Sequence, residues 1–296
     1  MIVDPKEIAT RDLHQFLLAS VAPRPIAFVS TIDSEGRNNL APYSFFNAFS
    51  SNPPIVVFSS NRRVADNTTK DTLQNVIDSK ECVINVVSYN IVRQMAVTSI
   101  QFETGISEFE KAGLTPVASD IVKAPRVKES PVNMECVVKE VQTLGDQGGA
   151  GHLIICEVVR MHIDDNVIGD NNRIDPHKID LMGRMGRAYY VRASGEAIHT
   201  IVQAVTEISI GYDQIPESIK QSTVLSANNL GSIAGIKAIP SKETIQSLLT
   251  THPAVQSILE GDNIQHHLHS LAKNYLEEEN KLEMAANILW LSDDYA

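Results

Sequence analysis

The sequence predicts a mainly β protein with helices, an antiparallel barrel followed by a helical C-terminal extension. Three observations carry that reading. Short β-type runs separated by turn signals fill residues 1–200 without a regular βαβ rhythm, which favours antiparallel closure over a doubly wound sheet. No GxGxxG follows a strand, so the dinucleotide fingerprint of the wound fold is missing. Composition then changes near residue 200: all eight Phe lie at or before Phe109, and the last arginine is Arg192. Residues 1–200 carry a net charge of −4, and residues 201–296 carry −7 on five Lys and twelve acidic residues. The expected domains are therefore 1–200 and 201–296, the second acidic, helical and of unassigned role.

The elements follow in order. A helix is expected over 11–19, a strand over 26–32 and a hairpin-like turn over 33–36. A strand over 55–58, a helix over 71–79 and a strand over 82–87 come next. Helices over 90–98 and 106–112 precede two long strands over 134–144 and 153–163. Beyond the boundary, 198–208 and 244–249 read as short helices. The stretch 264–291 reads as one longer helix, with Leu268, Leu271, Tyr275, Leu282, Ala285, Ala286 and Leu289 near helical spacing.

Bulk properties limit the function. The 296 residues, 43% hydrophobic and 21% charged, are those of a globular chain with a full core. A net charge of −11 argues against sequence-independent binding to nucleic acid or to an anionic membrane. The start of the chain shows no signal-like pattern, and the apolar runs fall short of the about 20 residues that a membrane span needs. A cytoplasmic protein is expected. Cys82, Cys136 and Cys156 are widely spaced in β-type stretches with no CxxC pair, as expected of buried, inert thiols. His266, His267 and His269 lack the spacing of a zinc site and read as a helix surface, so no metal is expected.

Residues 39–72 are the most informative stretch. Asn39-Leu-Ala-Pro-Tyr-Ser-Phe-Phe-Asn47 places Phe45, Phe46 and Phe49 beside Ser44 and Asn47, giving apolar area with a few hydrogen-bonding groups, as ring-binding pockets have. Ordinary core packing is the better account of each Phe taken singly. Further on, Arg62, Arg63 and Lys70 are interleaved with Ser59, Ser60, Asn61, Asn67, Thr68 and Thr69 ahead of a helix beginning at Asp71. Cations, hydroxyls and free N–H groups at a helix start can hold a phosphate. The alternative is a solvated loop capped by Asp71 or Thr69. Taken together, the two ends suit a ligand with a planar ring and a phosphate tail, such as flavin mononucleotide (FMN).

Pro23-Arg-Pro-Ile26, Ala41-Pro-Tyr-Ser-Phe-Phe-Asn47, Asn52-Pro-Pro54 and Lys70-Asp-Thr72 together resemble the flavin reductase-like family with an FMN-binding split barrel. The resemblance spans roughly residues 10–195. It implies a split β-barrel, a homodimer and FMN near the subunit interface. Ser44, Phe45, Phe46 and Asn47 would border the flavin ring and ribityl chain. Ser59, Arg62, Lys70, Asp71 and Thr72 would surround the ribityl and phosphate end, with Arg24 a further addition on the phosphate side. Family members often carry Gly-Asp-His where this chain has Ala150-Gly-His152, with the His near the reactive face of the flavin. His152 is accordingly the catalytic candidate, and a hairpin-end histidine without a special task is the alternative. Arg184–Tyr190 resembles the stretch that closes the barrel and can flank the site.

The implied activity is hydride transfer from NADH or NADPH to the flavin, with a partner oxygenase as one destination of the reduced flavin. The competing readings are an FMN-binding electron carrier reduced by a partner protein, and a barrel that keeps only an interaction role.

Overall fold

The computed structural model describes residues 1–103, 105–201, 208–278 and 281–296. The chain divides into two compact units, Met1–His199 and Thr200–Ala296. The first unit opens with helix α1 (Thr10–Ser20). Strands β1 (Ala27–Ile32), β2 (Asn38–Tyr43), β3 (Phe46–Ser51) and β4 (Pro54–Ser59) follow, then α2 (Asp71–Ser79) and β5 (Glu81–Val86). Helices α3 (Val92–Val97) and α4 (Glu108–Ala112) and the two-residue strands β6 (Pro116–Val117) and β7 (Arg126–Val127) lead into β8 (Val132–Thr143) and β9 (His152–Ile163). Helix α5 (Pro176–Ile179) and the hairpin β10 (Leu181–Gly186) and β11 (Tyr189–Ala193) complete the unit.

Seven strands form one antiparallel sheet in the order β2-β1-β5-β8-β9-β4-β3. Alternation decides which face each strand buries. On β9, His152, Ile154 and Cys156 are buried and Leu153 and Ile155 are less so. Ile154 and Cys156 meet Val29, Phe58, Val76, Ile84 and Cys136 in the principal core. Register shifts between Glu135 and Cys136 and between Val138 and Glu140 bend the long β8–β9 ladder, as bulges do. All three cysteines are buried. A smaller core under α3 and α4 gathers Phe28, Leu40, Met95 and Phe109.

Asp120, Glu135 and His162 lie close together, and their bonding is that of a tie between segments. The Glu135 carboxylate is fully buried and accepts the N–H groups of Asp120, Ile121 and Val122 at 2.9, 2.6 and 3.0 Å. His162 Nε2 lies 2.6 Å from it. Arg160 takes up Asp120 at 3.3 Å. The carboxylate thereby pins the 120–122 segment to the sheet.

The second unit is helical: α6 (Glu217–Lys220), α7 (Ala227–Ala234), α8 (Lys242–Thr251), α9 (Pro253–Leu259), α10 (Ile264–Glu277) and α11 (Leu282–Ser292). Its own core includes Ile219, Ile233, Val255, Leu268, Ile288 and Leu289. Most of the helix expected over 198–208 lies outside the described residues. The single helix expected over 264–291 is two, α10 and α11, because Lys281 is non-helical (φ −105°, ψ 72°) and the apolar positions pack two segments against each other. His269 is buried, where a helix-surface position was expected, and its Nε2 lies 2.9 Å from Ser292 Oγ. No helix among the described residues is long and apolar enough to cross a membrane.

Burial alone would raise the Glu135 carboxyl, but the N–H donors and His162 outweigh it and hold it down to about 2, against an ordinary 4.5. A carboxyl depressed in the folded state contributes stability that is complete above its ordinary value and lost as pH falls through the depressed one. Unfolding free energy is therefore expected to fall between pH 4.5 and about 2, and Glu135→Gln to flatten that decline. The same variant is expected to cost about 2 kcal/mol at neutral pH. Urea titrations at a series of pH values read both effects.

Candidate functional site

The site is built where the end of β4 meets the turn before β3. The Ser59 N–H donates to Phe45 O at 2.8 Å, and Phe46 pairs with Phe58 across β3–β4. Those two contacts join the aromatic stretch 43–47 to the basic loop 60–70. The Tyr43 ring packs on Phe58 at 5.2 Å between centroids, and Lys70 Nζ lies 4.8 Å from the Tyr43 ring centroid. Lys70 is the N-cap residue of α2 and makes no side-chain cap bond there. The first N–H groups of the helix and the Lys70 ammonium therefore stand together at one positive end. Burial, and then the neighbouring charge of Arg63, lower Lys70 from its ordinary value.

The turn between β8 and β9 clamps the basic loop. Ser60 and His152 exchange backbone bonds at 3.1 and 3.2 Å, Arg62 N–H donates to Ala150 O at 2.8 Å, and Gly149 N–H donates to Arg62 O at 3.1 Å. Asn61 Nδ2 donates to Gly149 O at 3.3 Å and Asn67 Nδ2 to Asp146 O at 3.0 Å. Glycine allows this approach. A Cβ at position 148 would lie 3.0 Å from Val64 O, and one at position 151 would lie 2.7 Å from Ser59 Oγ. The Ser59 hydroxyl donates to Asn61 Oδ1 at 2.8 Å, so a side chain at 151 breaks that bond or moves the loop. The resemblance places an Asp at this position in relatives. Here the chain closes directly on itself.

Four buried side-chain atoms in this region lack a hydrogen-bond partner among the described residues: Tyr43 Oη, Ser60 Oγ, Arg62 Nε and His152 Nε2. Buried polar groups are nearly always satisfied, so four in adjacent segments make this place a candidate for a polar ligand. Burial pushes the Tyr43 phenol up to about 12, opposed by the Thr72 and Ser60 hydroxyls, which face it outside hydrogen-bond geometry. His152 is 5% exposed, with Nδ1 3.1 Å from Thr143 Oγ1. Burial first, and the Arg62 charge second, lower its imidazole, so it is neutral at physiological pH. A donor set of ammonium, guanidinium, hydroxyls and helix N–H groups fits a phosphate with an attached polyol.

The other expected site residues fall around this centre. Ser44, Phe45 and Phe46 are half-buried, and Asn47 is exposed, its Oδ1 accepting the Ala48 N–H at 2.8 Å. Phe49 is 69% exposed on β3. Arg24 belongs to the aromatic end and not to the Lys70 loop: its guanidinium is 5.9 Å from the Phe45 ring, and Nε is 3.5 Å from Ser44 Oγ. The Thr72 hydroxyl accepts from Asn39 Nδ2 at 2.9 Å, within a network that includes Thr31 and Asn75. Asp71 lines a polar cavity of about 230 Å³ with Asp33, Arg37, Asp78 and Glu108. Four carboxylates against one guanidinium make that cavity hostile to phosphate, and the Lys70 loop is the better candidate for an anion. Sequence reasoning passed over Tyr43. Its signal was present, a phenol in a stretch otherwise read for Ser and Phe, but its hydroxyl gains meaning only once β2 faces the loop.

An antiparallel split barrel with a basic loop beside an aromatic turn is the architecture of the flavin reductase-like class. The chain belongs to the flavin reductase-like family, a family of flavin-binding oxidoreductases: the family's pattern, described as "Flavin reductase like domain", matches residues 19–177. A protein of Aquifex aeolicus is 41% identical over 191 residues, covering 64% of this chain and 95% of that protein. The crystal structure of nitrilotriacetate monooxygenase component B from Bacillus cereus is similar with a TM-score of 0.63 at 32% identity, covering 68% of this chain and 98% of that one. That of the 2-nitrobenzoate 2-nitroreductase of Pseudomonas fluorescens has a TM-score of 0.59 at 27% identity, covering 69% and 98%.

Gly151→Ala is expected to destabilise the protein by about 1–3 kcal/mol through overpacking against Ser59. Hydrogen exchange at the Ser60 and Arg62 amides is expected to rise with it, because those N–H groups bond the displaced turn. Denaturant titration and exchange mass spectrometry read the two effects.

Proposed function

We propose that the protein holds FMN and passes hydride from NADH or NADPH to it. The carrying observation is the set of unpartnered buried groups around Lys70: Tyr43 Oη, Ser60 Oγ, Arg62 Nε and His152 Nε2. Bound flavin supplies the redox chemistry, accepting a hydride from the nicotinamide. Lys70, Arg62 and the first N–H groups of α2 hold its phosphate. Ser59, Ser60 and the Tyr43 hydroxyl serve the polyol, and the Ser44–Asn47 turn borders the ring. Neutral His152 fixes a ligand atom through Nε2, while Thr143 sets the orientation of its ring. The chain's own task is positioning, and a near-attack arrangement supplies much of the acceleration.

The reading extends to assembly and to the fate of the electrons. Val159, Met161 and Ile163 on β9 and Phe49 on β3 are exposed apolar side chains, and apolar patches on a sheet mark interaction surfaces. A second copy of the chain covers this face in the proposed homodimer. The proposed destination of the electrons is a partner oxygenase in the cytosol. The similarity to a monooxygenase component supports that destination.

Purified protein reconstituted with FMN is expected to show flavin absorption bands that bleach when NADH or NADPH is added without oxygen. Bands that persist with both donors would sink the reductase reading and leave a carrier reduced by a protein. Lys70→Gln is expected to weaken FMN binding by about ten- to a hundredfold, the loss of charge-assisted hydrogen bonds, measured by fluorescence titration. Met161→Lys is expected to shift the sedimentation coefficient from dimer to monomer, and a variant that sediments like the parent removes this face from the interface.

A further inference from the structure

Two arginines are backbone partners at the aromatic end of the site. Arg24 and Arg184 form an isolated antiparallel bridge. Arg24 N–H donates to Arg184 O at 2.9 Å, and Arg184 N–H donates to Arg24 O at 2.8 Å. Residues opposed in this way project their side chains on one face, close together, and like charges so placed destabilise the pair. No ion pair among the described residues involves either arginine. The bridge therefore sets two arginines opposite each other, with no ion-paired carboxylate on either among the described residues.

The two arginines are used differently. Arg24 is 4% exposed, and its Nη1 donates to Leu18 O and Val21 O, both at 2.5 Å, at the C-terminal end of α1. Those carbonyls and the negative end of the helix answer much of its charge. Arg184 is half-buried, with its guanidinium carbon 4.6 Å from the Tyr190 ring centroid. The turn that follows presents exposed Arg187 and rests on α1, where a Cβ at Gly186 would lie 3.2 Å from Leu18 O. His14 of α1 meets the Phe45 ring at 6.3 Å. Asp12 sits six residues before Leu18, about 9 Å along the helix axis. Burial, and then the charge of Arg184, lower Arg24 from its ordinary value.

We propose that Arg184, backed by Arg24, is a second anion subsite that takes a phosphate of the nicotinamide nucleotide, while the Lys70 loop keeps the phosphate of the flavin. The inference rests on the reductase reading and names the group that anchors its donor. A nicotinamide seated at the ring end would bring its phosphates to this arginine pair, and the guanidinium fork matches phosphate oxygens in pairs. The shared chemistry is a phosphate dianion or pyrophosphate. Both NADH and NADPH carry the pyrophosphate, and only NADPH carries the 2′-phosphate.

The test uses the FMN-loaded protein and its Arg184→Gln and Arg184→Lys variants. Arg184→Gln is expected to raise KM about tenfold for at least one donor, with kcat and the bound-flavin spectrum unchanged and Arg184→Lys in between. A rise with both donors, together with weaker calorimetric binding of ADP, supports the subsite through the pyrophosphate. A rise confined to NADPH, together with weaker binding of adenosine 2′,5′-bisphosphate, supports it through the 2′-phosphate. Unchanged KM and unchanged nucleotide affinity in a variant of a turning-over enzyme overturn the subsite alone. Loss of FMN from Arg184→Gln overturns it too, assigning the arginine to the flavin or to the fold. A parent protein that binds FMN but oxidises neither donor overturns the reductase reading, and the subsite with it.

Discussion

The lock between the 60–70 loop and the β8–β9 turn is the constraint on which the site depends. Ser60, Asn61, Arg62 and Asn67 sit in a segment with no regular secondary structure of its own, yet six backbone or side-chain bonds fasten it to His152, Ala150, Gly149 and Asp146. Glycine at 148 and 151 is what lets the two backbones approach. A loop held at this many points presents its cations from fixed positions, as a binding site requires. The same bonds deliver His152 to the loop, since Ser60 and His152 are backbone partners.

The molecule treats charge in two opposite ways. Glu135 is an anion surrounded by donors, and with three N–H groups and His162 around it the carboxylate is fully answered within the fold. Around Lys70, donors are assembled with no carboxylate of the described residues bonded to them. Tyr43 Oη, Ser60 Oγ and Arg62 Nε have no partner among the described residues. Buried donors without acceptors weaken a fold. Their clustering at one loop mouth separates a binding surface from scattered packing defects.

Much of the barrel was legible in the sequence because alternation and turn chemistry are local. Helix α2 occupies the expected residues, and strands β1, β4, β5, β8 and β9 lie within two residues of theirs. Strands β2 and β3 were hidden: Asn38, Asn39, Pro42, Ser50 and Ser51 are poor strand formers, tolerated because both strands lie at the ends of the sheet order. Helices α10 and α11 read as one because both halves keep apolar positions near the same period. At the site, the basic loop and the aromatic turn were visible as motifs. Their junction through Ser59 and Phe45 was not, since it depends on strand pairing. The same limit concealed Tyr43, the turn of Thr72 toward Asn39 and the meeting of Arg24 with Arg184, residues 160 positions apart.

The unpartnered groups near Lys70 also bear on how long the protein survives. A ligand that satisfies them binds the folded chain and not the unfolded one, so it adds to stability in proportion to the logarithm of its concentration over its dissociation constant. At a hundredfold excess over that constant the addition is about 2.7 kcal/mol, a large share of the margin by which an ordinary domain stays folded. The fraction of chains open to proteases then tracks the supply of that ligand. If that ligand is the proposed flavin, abundance of the protein would follow the supply of flavin.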